Sequence, residues 1–193
     1  MYINKFFKHL HRINKHKYIV FKLAIKAGIP FRGLVHDLSK YSPTEFFEGV
    51  KYYNEGKSPI SKCKKENGYS KAWLHHKGRN KHHFEYWYDF ACENKQIIMP
   101  YEYTVEMICD TLAASLVYNG NKWNKNIPLE YFNKRKDLEY INPKIRDILV
   151  EVYILVSENG IAKTVNKKTL NKIYYKHINN KEEDYKRKEK NNG

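Results

Sequence analysis

The chain has 193 residues and carries 36 Lys and Arg against 21 Asp and Glu, which gives a formal net charge of +15. This length fits one domain with a buried core. The excess of positive charge predicts an anionic partner, either a small phosphate compound or nucleic acid. No apolar run reaches the roughly eighteen residues that a membrane span needs, and the first residues lack the apolar core of a signal peptide.

Cysteine usage is sparse and irregular. Cys63, Cys92 and Cys109 are an odd number of cysteines without the spacing of a zinc knuckle, so a disulfide framework is excluded as well. This usage favours a reducing compartment. We therefore expect a cytoplasmic protein that does not associate with a membrane.

The first third of the chain predicts three helices. Residues 6–27 place apolar side chains on one face together with His16, and Gly28 ends this helix. Pro30 suits the first turn of a second helix that extends through residue 38. A capping box at residues 42–45 then starts a third helix, which we expect to run to about residue 55.

The middle of the chain is less regular. Residues 56–68 are rich in Lys, Ser and Gly without periodicity, which predicts a surface loop. Ser70 is a suitable cap for a short helix that contains His75 and His76 and that Gly78 would end. Another helix is expected from Asn80 to about residue 87.

The second half contains the best amphipathic pattern. Residues 101–118 form a helix in which Asp110 shares the apolar face. Residues 143–160 predict a further helix that starts at a proline, and residues 170–178 predict a short last one. The predicted fold class is therefore all-α.

Domain organisation follows from this pattern. About six to eight helices fill residues 1–179, which we expect to form a single domain. Residues 180–193 carry many charges of both signs and few apolar side chains, so we expect a disordered tail there.

Potential metal ligands follow one another in a suggestive order. Histidine and aspartate supply the nitrogen and oxygen donors of open catalytic sites. The chain has two histidine doublets, His75-His76 and His82-His83. Neighbouring rings in a doublet should diverge, so we expect at most one ligand from each and favour His76 and His82. The predicted metal ligands are His16, His36, Asp37, His76, His82 and Asp110.

The segment from His36 to Lys40 has the order His-Asp-x-x-Lys, and it resembles the signature of the HD superfamily of metal-dependent phosphohydrolases. The resemblance covers roughly residues 9–120. It implies an HD-like helical bundle in which a histidine, the His-Asp pair, intervening histidines and a later aspartate bind metal. A second segment, from His75 through Asn80 to His83, is similar to an uncharacterised helical family that implies no activity.

Other polar side chains have predicted roles at such a site. Lys40 lies one turn beyond His36 and is expected to contact a substrate phosphate. Glu106 precedes Asp110 by one turn and could orient a ligand or hold a water, and it is a better candidate general base than Glu45 or Glu48, which could reach the site from the third helix. Lys77, Arg79 and Asn80 are expected to bind the anionic part of the substrate.

The leading functional hypothesis is a metal-dependent phosphohydrolase or phosphodiesterase that acts on a nucleotide or another small phosphate ester. It requires one or two divalent ions, and the sequence does not distinguish Mn, Fe, Mg, Zn, Ni and Co. We favour two ions, because six ligand candidates exceed what one open site requires. An HD-like diiron oxygenase and a non-enzymatic basic protein that binds nucleic acid are the alternatives.

Overall fold

The structure is a computed structural model that describes residues 2–179, so the predicted tail lies outside the described residues. Within this range the chain forms helices and no strands, and the all-α prediction is confirmed. There are ten α-helices rather than six to eight. They are α1 (Tyr2–Ala27), α2 (Pro30–Val35), α3 (Pro43–Lys51), α4 (Pro59–Asn67), α5 (Lys71–Arg79), α6 (Tyr101–Asn119), α7 (Ile127–Asn133), α8 (Pro143–Asn159), α9 (Ile161–Thr164) and α10 (Lys167–Ile178).

Helix α6 lies at the centre of the bundle. Its side chains are buried around most of its circumference, and it packs against α1, α2, α7 and α10. Val105, Ile108 and Leu112 are each at most 1% exposed. Such a helix places any polar side chain that it carries inside the protein, which applies to Glu106 on its buried face.

Helix α1 packs along α6 through the predicted apolar face. Val20, Ala24 and Ala27 are almost completely buried. Gly28 ends the helix with a positive φ of +79°, as expected for a glycine at this position. The amino-terminal half of α1 packs on α3 instead, where Ile13 belongs to a second, smaller apolar cluster.

The predicted surface loop at residues 56–68 is wrong, because most of it forms α4. Ser58 accepts a hydrogen bond from the Ser61 backbone N–H, and Pro59 occupies the first turn. Cys63 is 3% exposed and anchors the helix, and Gly68 ends it in the left-handed conformation. A helix this short depends on such packing more than on periodicity.

Two other helix boundaries also differ from the prediction. Helix α3 ends at Lys51 instead of near residue 55. The expected helix from Asn80 to residue 87 is an irregular turn followed by a single 3-10 turn, Phe84–Trp87. His82 and His83 therefore lie on non-helical backbone.

The predicted second helix is too long. Helix α2 ends at Val35, and His36 is already outside it. Asp37 adopts φ 54° and ψ 29°, and it is the sole non-glycine residue with positive φ in the described part of the chain. A 3-10 turn, Leu38–Tyr41, follows. His36 and Asp37 thus lie at a sharp break between two helical segments.

This break is held by a lysine from α1. The Lys17 ammonium donates hydrogen bonds to the backbone carbonyl oxygens of Leu34, at 2.6 Å, and of His36, at 2.7 Å. These carbonyls have no partner within the helix, so a cation there stabilises the helix end. A left-handed Asp is uncommon and persists where the surroundings determine it.

No helix among residues 2–179 is long and apolar enough to cross a membrane.

Candidate metal centre

Five parts of the fold converge on one buried point. Helix α1 contributes His16, the break after α2 contributes His36 and Asp37, α5 contributes His76, the turn after α5 contributes His82 and His83, and α6 contributes Asp110. Asp37, His36, His76 and His82 are each at most 2% exposed. All six predicted metal ligands are therefore brought together.

Asp37 lies between two groups of potential ligands. Its Oδ2 atom is 3.2 Å from His36 Nε2 and 4.0 Å from His16 Nε2. Its Oδ1 atom faces the other way and is 3.3 Å from His76 Nε2 and 3.4 Å from His82 Nε2. One carboxylate thus offers a separate oxygen to each group.

The first group, termed site A, consists of His16, His36, Asp37 and Asp110. One donor atom from each of these residues lies within 4.8 Å of the others. Asp110 Oδ1 is 2.9 Å from His16 Nε2 and 3.5 Å from His36 Nε2. Two imidazole nitrogens and two carboxylates form a donor set that divalent transition metals accept.

The second group, termed site B, consists of Asp37, His76, His82 and His83 and meets the same distance limit. The expectation that only one histidine of a doublet can serve rested on helical geometry, and here both His82 and His83 reach the group because their backbone is not helical. Their ring centroids are 4.2 Å apart. His83 was not among the predicted ligands.

Several of these buried donor atoms lack hydrogen bonds. Within residues 2–179, no hydrogen bond of good geometry involves either carboxylate oxygen of Asp37, His82 Nε2 or His83 Nε2. The distances around Asp37 are ion-pair contacts. Buried polar atoms are normally satisfied, so their concentration at one point fits a site for a cation.

Carboxylates contact three of these histidines at Nδ1, on the side of each ring that faces away from Asp37. His36 Nδ1 lies 2.9 Å from Glu106 Oε1, and His82 Nδ1 lies 3.2 Å from the same oxygen as an ion-pair contact without hydrogen-bond geometry. His76 Nδ1 is 2.7 Å from Glu45 Oε2. Histidines that bind metals commonly donate their other N–H to a carboxylate, which sets the tautomer and the ring orientation. Here that pattern leaves the Nε2 atoms facing Asp37.

Glu45 also explains why His76 belongs to site B and His75 does not. Its other oxygen is 2.6 Å from His75 Nδ1, and His75 contributes to neither site. His76 therefore lies inside the centre and His75 supports it from outside. The sequence indicated that Glu45 could reach the site from the third helix, but not that it would bridge His75 and His76.

The electrostatics of site A reflect closely packed opposite charges. Burial opposes ionisation of Asp37, but the charges of His36 and Lys40 hold the pKa of its carboxyl well below the usual range. Burial likewise disfavours a charged His36, yet Asp37, Asp110 and Glu106 together raise its pKa well above the usual value. A protonated imidazole thus supplies the positive charge that the carboxylates require.

Two other histidines behave differently. Burial, with the charge of Lys40, lowers the pKa of His16. Burial together with His82 and His76 holds the pKa of His83 well below its ordinary value. Both rings are therefore neutral at pH 7, which is the form that binds a metal.

The predicted phosphate contact, Lys40, is paired with Asp37. Its Nζ atom lies 2.5 Å from Asp37 Oδ2. Burial lowers the pKa of Lys40, but Asp37 and Asp110 raise it above its usual value overall, so the ammonium stays charged. Its side chain is 27% exposed and lies on the Nε2 side of the centre, where it separates Asp37 from solvent.

The predicted general base, Glu106, lies on the opposite side of the rings. Its Oε1 atom faces His36 and His82, and its Oε2 atom is 2.6 Å from Arg32 Nη2. Burial alone would raise the pKa of Glu106, but the hydrogen bond from His36 and the adjacent His82 ring lower it to about 2. This placement favours an orienting role for Glu106, and its predicted role as a base stays a prediction.

The three predicted substrate-binding residues are not equivalent. Asn80 donates hydrogen bonds to Ser39 Oγ and to the His76 carbonyl oxygen, each at 2.8 Å. It therefore stabilises the backbone of site B near His76. Arg79 and Asn80 line a cavity that Lys77 does not reach. Substrate binding by these side chains stays a prediction.

Two basic side chains on α1, Lys8 and Arg12, have partners within the protein. Lys8 lies 2.5 Å from Glu55. Arg12 donates to the carbonyl oxygens of Asn54 and Lys57 at 3.0 Å and 3.1 Å. These contacts tie α1 to the segment before α4, so Lys8 and Arg12 are not free charges for nucleic acid.

Comparisons with known proteins give a family and no activity. Neither a search of curated proteins nor a search of solved structures finds a match. Residues 5–154 match DUF5662, which is described as a family of unknown function. This range runs from the first turn of α1 into α8 and includes every residue of both ligand groups. Since it spans more than half of the chain, the protein belongs to DUF5662.

Proposed function

We propose that this protein is a metal-dependent phosphohydrolase whose centre holds two divalent cations, one at site A and one at site B, with Asp37 shared between them. The observation that carries the proposal is the division of Asp37, whose two oxygens face two separate sets of histidines. The resemblance of residues 36–40 to the HD signature supports the same class of reaction.

The donor chemistry supports a pair of ions. Site A offers two imidazoles and two carboxylates, and site B offers three imidazoles and the shared carboxylate. When bound, two divalent ions would supply Lewis-acid stabilisation of a phosphoryl group and lower the pKa of a bound water. Each site offers four protein ligands, so an ion that prefers six ligands would keep open positions for water and substrate.

The surrounding side chains would then hold the ligands and attract the substrate. Glu106 and Glu45 fix the rings through their Nδ1 atoms, which preorganises both sites. With a cation bound at Asp37, Lys40 would no longer be its counter-ion and would be available to a substrate phosphate. The net charge of +15 favours the approach of an anionic ester such as a nucleotide.

The test combines metal analysis with an activity screen on the full-length protein. Asp37→Ala removes the shared ligand, so it should lose most of the bound metal and the release of phosphate from a panel of mono-, di- and cyclic nucleotides. His177→Ala is the matched control, because His177 is another buried histidine, paired with Glu151 at 2.6 Å, outside the centre. It should keep two equivalents of metal.

Two outcomes would contradict the proposal. Stoichiometric metal in Asp37→Ala would show that the ligand assignment is wrong. Iron in the wild-type protein with oxygen uptake and no phosphate release would replace the hydrolase by an oxygenase that uses the same ligands.

A further inference from the structure

A cavity of about 390 Å³ lies beside the metal centre but does not open onto the donor atoms. It is formed between α2, the following 3-10 turn, the end of α5 and α6. Its volume falls within the range of roughly 300 to 1,000 Å³ that small-molecule sites occupy. The side chains that matter for its chemistry are Arg32, Arg79, Lys81, Tyr103 and Glu106.

The contacts of its lining place the cavity behind the histidines. Glu106, which lines it, meets His36 and His82 at their Nδ1 atoms. Ser39 and Asn80, which also line it, each lie 3.2 Å from His76 Nδ1. The cavity is therefore separated from the Nε2 atoms of sites A and B by the imidazole rings themselves.

The cavity is electropositive. Arg32, Arg79 and Lys81 line it against one carboxylate, Glu106, which leaves an excess of two positive charges. Arg32 is bound to that carboxylate. Arg79 and Lys81 have no carboxylate partner within the described residues, and both are exposed. Two unpaired cations beside a concave surface favour an anionic ligand.

One wall of the cavity is apolar. Val35 and Leu38 line it, and Leu38 is 55% exposed although it is a large aliphatic side chain. The Tyr103 ring lies beneath the Arg32 guanidinium, whose carbon is 4.5 Å from the ring centroid. A ligand that presents phosphate to the cations would place any organic portion against this wall.

We propose that this cavity is a phosphate-binding site distinct from the metal centre, with Arg79 and Lys81 as its principal ligands and Arg32 as the link to the centre. The phosphate group belongs either to free inorganic phosphate or to a small phosphate monoester. Arginine and lysine bind phosphate through charge-assisted hydrogen bonds. Because the lining itself carries the charge, binding requires no metal.

Occupation of this site has a consequence for the metal centre. A phosphate that binds Arg32 competes with Glu106 for the same guanidinium. Glu106 in turn contacts His36 and His82, one ligand from each site. On the proposed metal centre, phosphate binding and metal binding would therefore be coupled, with the same coupling free energy in both directions.

The test is calorimetric titration of the full-length protein after its metals have been removed with a chelating resin, at 0.15 M salt to suppress nonspecific attraction. Inorganic phosphate and adenosine monophosphate are the two probes. Arg79→Ala and Lys81→Ala should each weaken binding at least about tenfold. Lys71→Ala is the matched control, because it removes the same charge from α5 at an exposed position that does not line the cavity.

The two probes distinguish the sources of the phosphate group. Tighter binding of the nucleotide supports a phosphate monoester that uses the apolar wall, and equal or tighter binding of inorganic phosphate supports the free anion. The proposal is overturned if the metal-free wild-type protein binds neither probe. It is also overturned if Lys71→Ala loses as much affinity as Arg79→Ala, which would indicate a diffuse basic surface. Neither result depends on phosphohydrolase activity.

Discussion

Glu106→Gln tests how the two metal sites are held together. Glutamine keeps the size of the side chain and removes its charge. The change weakens the contacts to His36 Nδ1 at 2.9 Å and to His82 Nδ1 at 3.2 Å. His36 belongs to site A and His82 belongs to site B, so a single substitution perturbs one ligand of each.

The expected magnitude follows from the role of such outer carboxylates. Loss of a partner that orients a metal-binding histidine typically lowers metal affinity by about 10- to 100-fold. This corresponds to about 1.4 to 2.8 kcal/mol for each ion. Glu45→Gln is the matched control, because Glu45 orients only His76 of site B. It should therefore weaken one ion and leave the other unchanged.

The assay is competition with a chromophoric chelator, analysed for two ions, in the wild-type protein and both variants. Glu106→Gln also weakens the ion pair to Arg32, so thermal unfolding of the metal-free variants must first show that each one folds. Equal weakening of both ions in Glu45→Gln would refute the assignment of separate sites. Unchanged affinities in Glu106→Gln would refute its orienting role.

Three further predictions concern single side chains. Lys40→Ala should keep both metals and mainly lower kcat/KM, measured as phosphate release, and loss of metal would contradict its role towards substrate. His16→Ala and His76→Ala should each reduce the metal content from two equivalents towards one, measured by elemental analysis, because they belong to different sites. Unchanged counts in both would exclude two ions. Burial lowers the pKa of His9 to about 4, so the unfolded chain, with a pKa of about 6.5, binds this proton more readily. The free energy of unfolding should then fall as the pH drops below about 6.5, by about 2 kcal/mol at pH 5. Urea unfolding at pH 7 and pH 5 should show a smaller fall in His9→Gln, and an equal fall would contradict this cause.

The sequence by itself determined the long helices and the order of the ligands. Helices α1 and α6 carry apolar side chains at helical spacing, and Gly28 and Pro100 mark one end of each. Such signals act locally, so they can be read without knowledge of the partners. The all-α fold class followed from them, whereas the six ligands were predicted from their residue types, their order and the resemblance to the HD signature.

Short segments were determined by their surroundings. Helix α4 has weak periodicity, and the burial of Cys63 decides that it forms. The His36-Asp37 pair was expected on a helix, but Lys17 of α1 holds the carbonyls at the end of α2 and the chain breaks there. The left-handed conformation of Asp37 is a consequence of this long-range contact rather than of its own preference.

Only the tertiary structure decided how the donors divide between two sites. The sequence contains Asp37 once and cannot indicate that its two oxygens face different histidines. It also could not place His83 in site B, because helical projection does not apply to the irregular turn after α5. The orientations of the His76 and His36 rings depend on Glu45 and Glu106, which lie far from these histidines along the chain. Ligand types are a local property of the sequence, whereas the directions of their lone pairs are set by packing between helices.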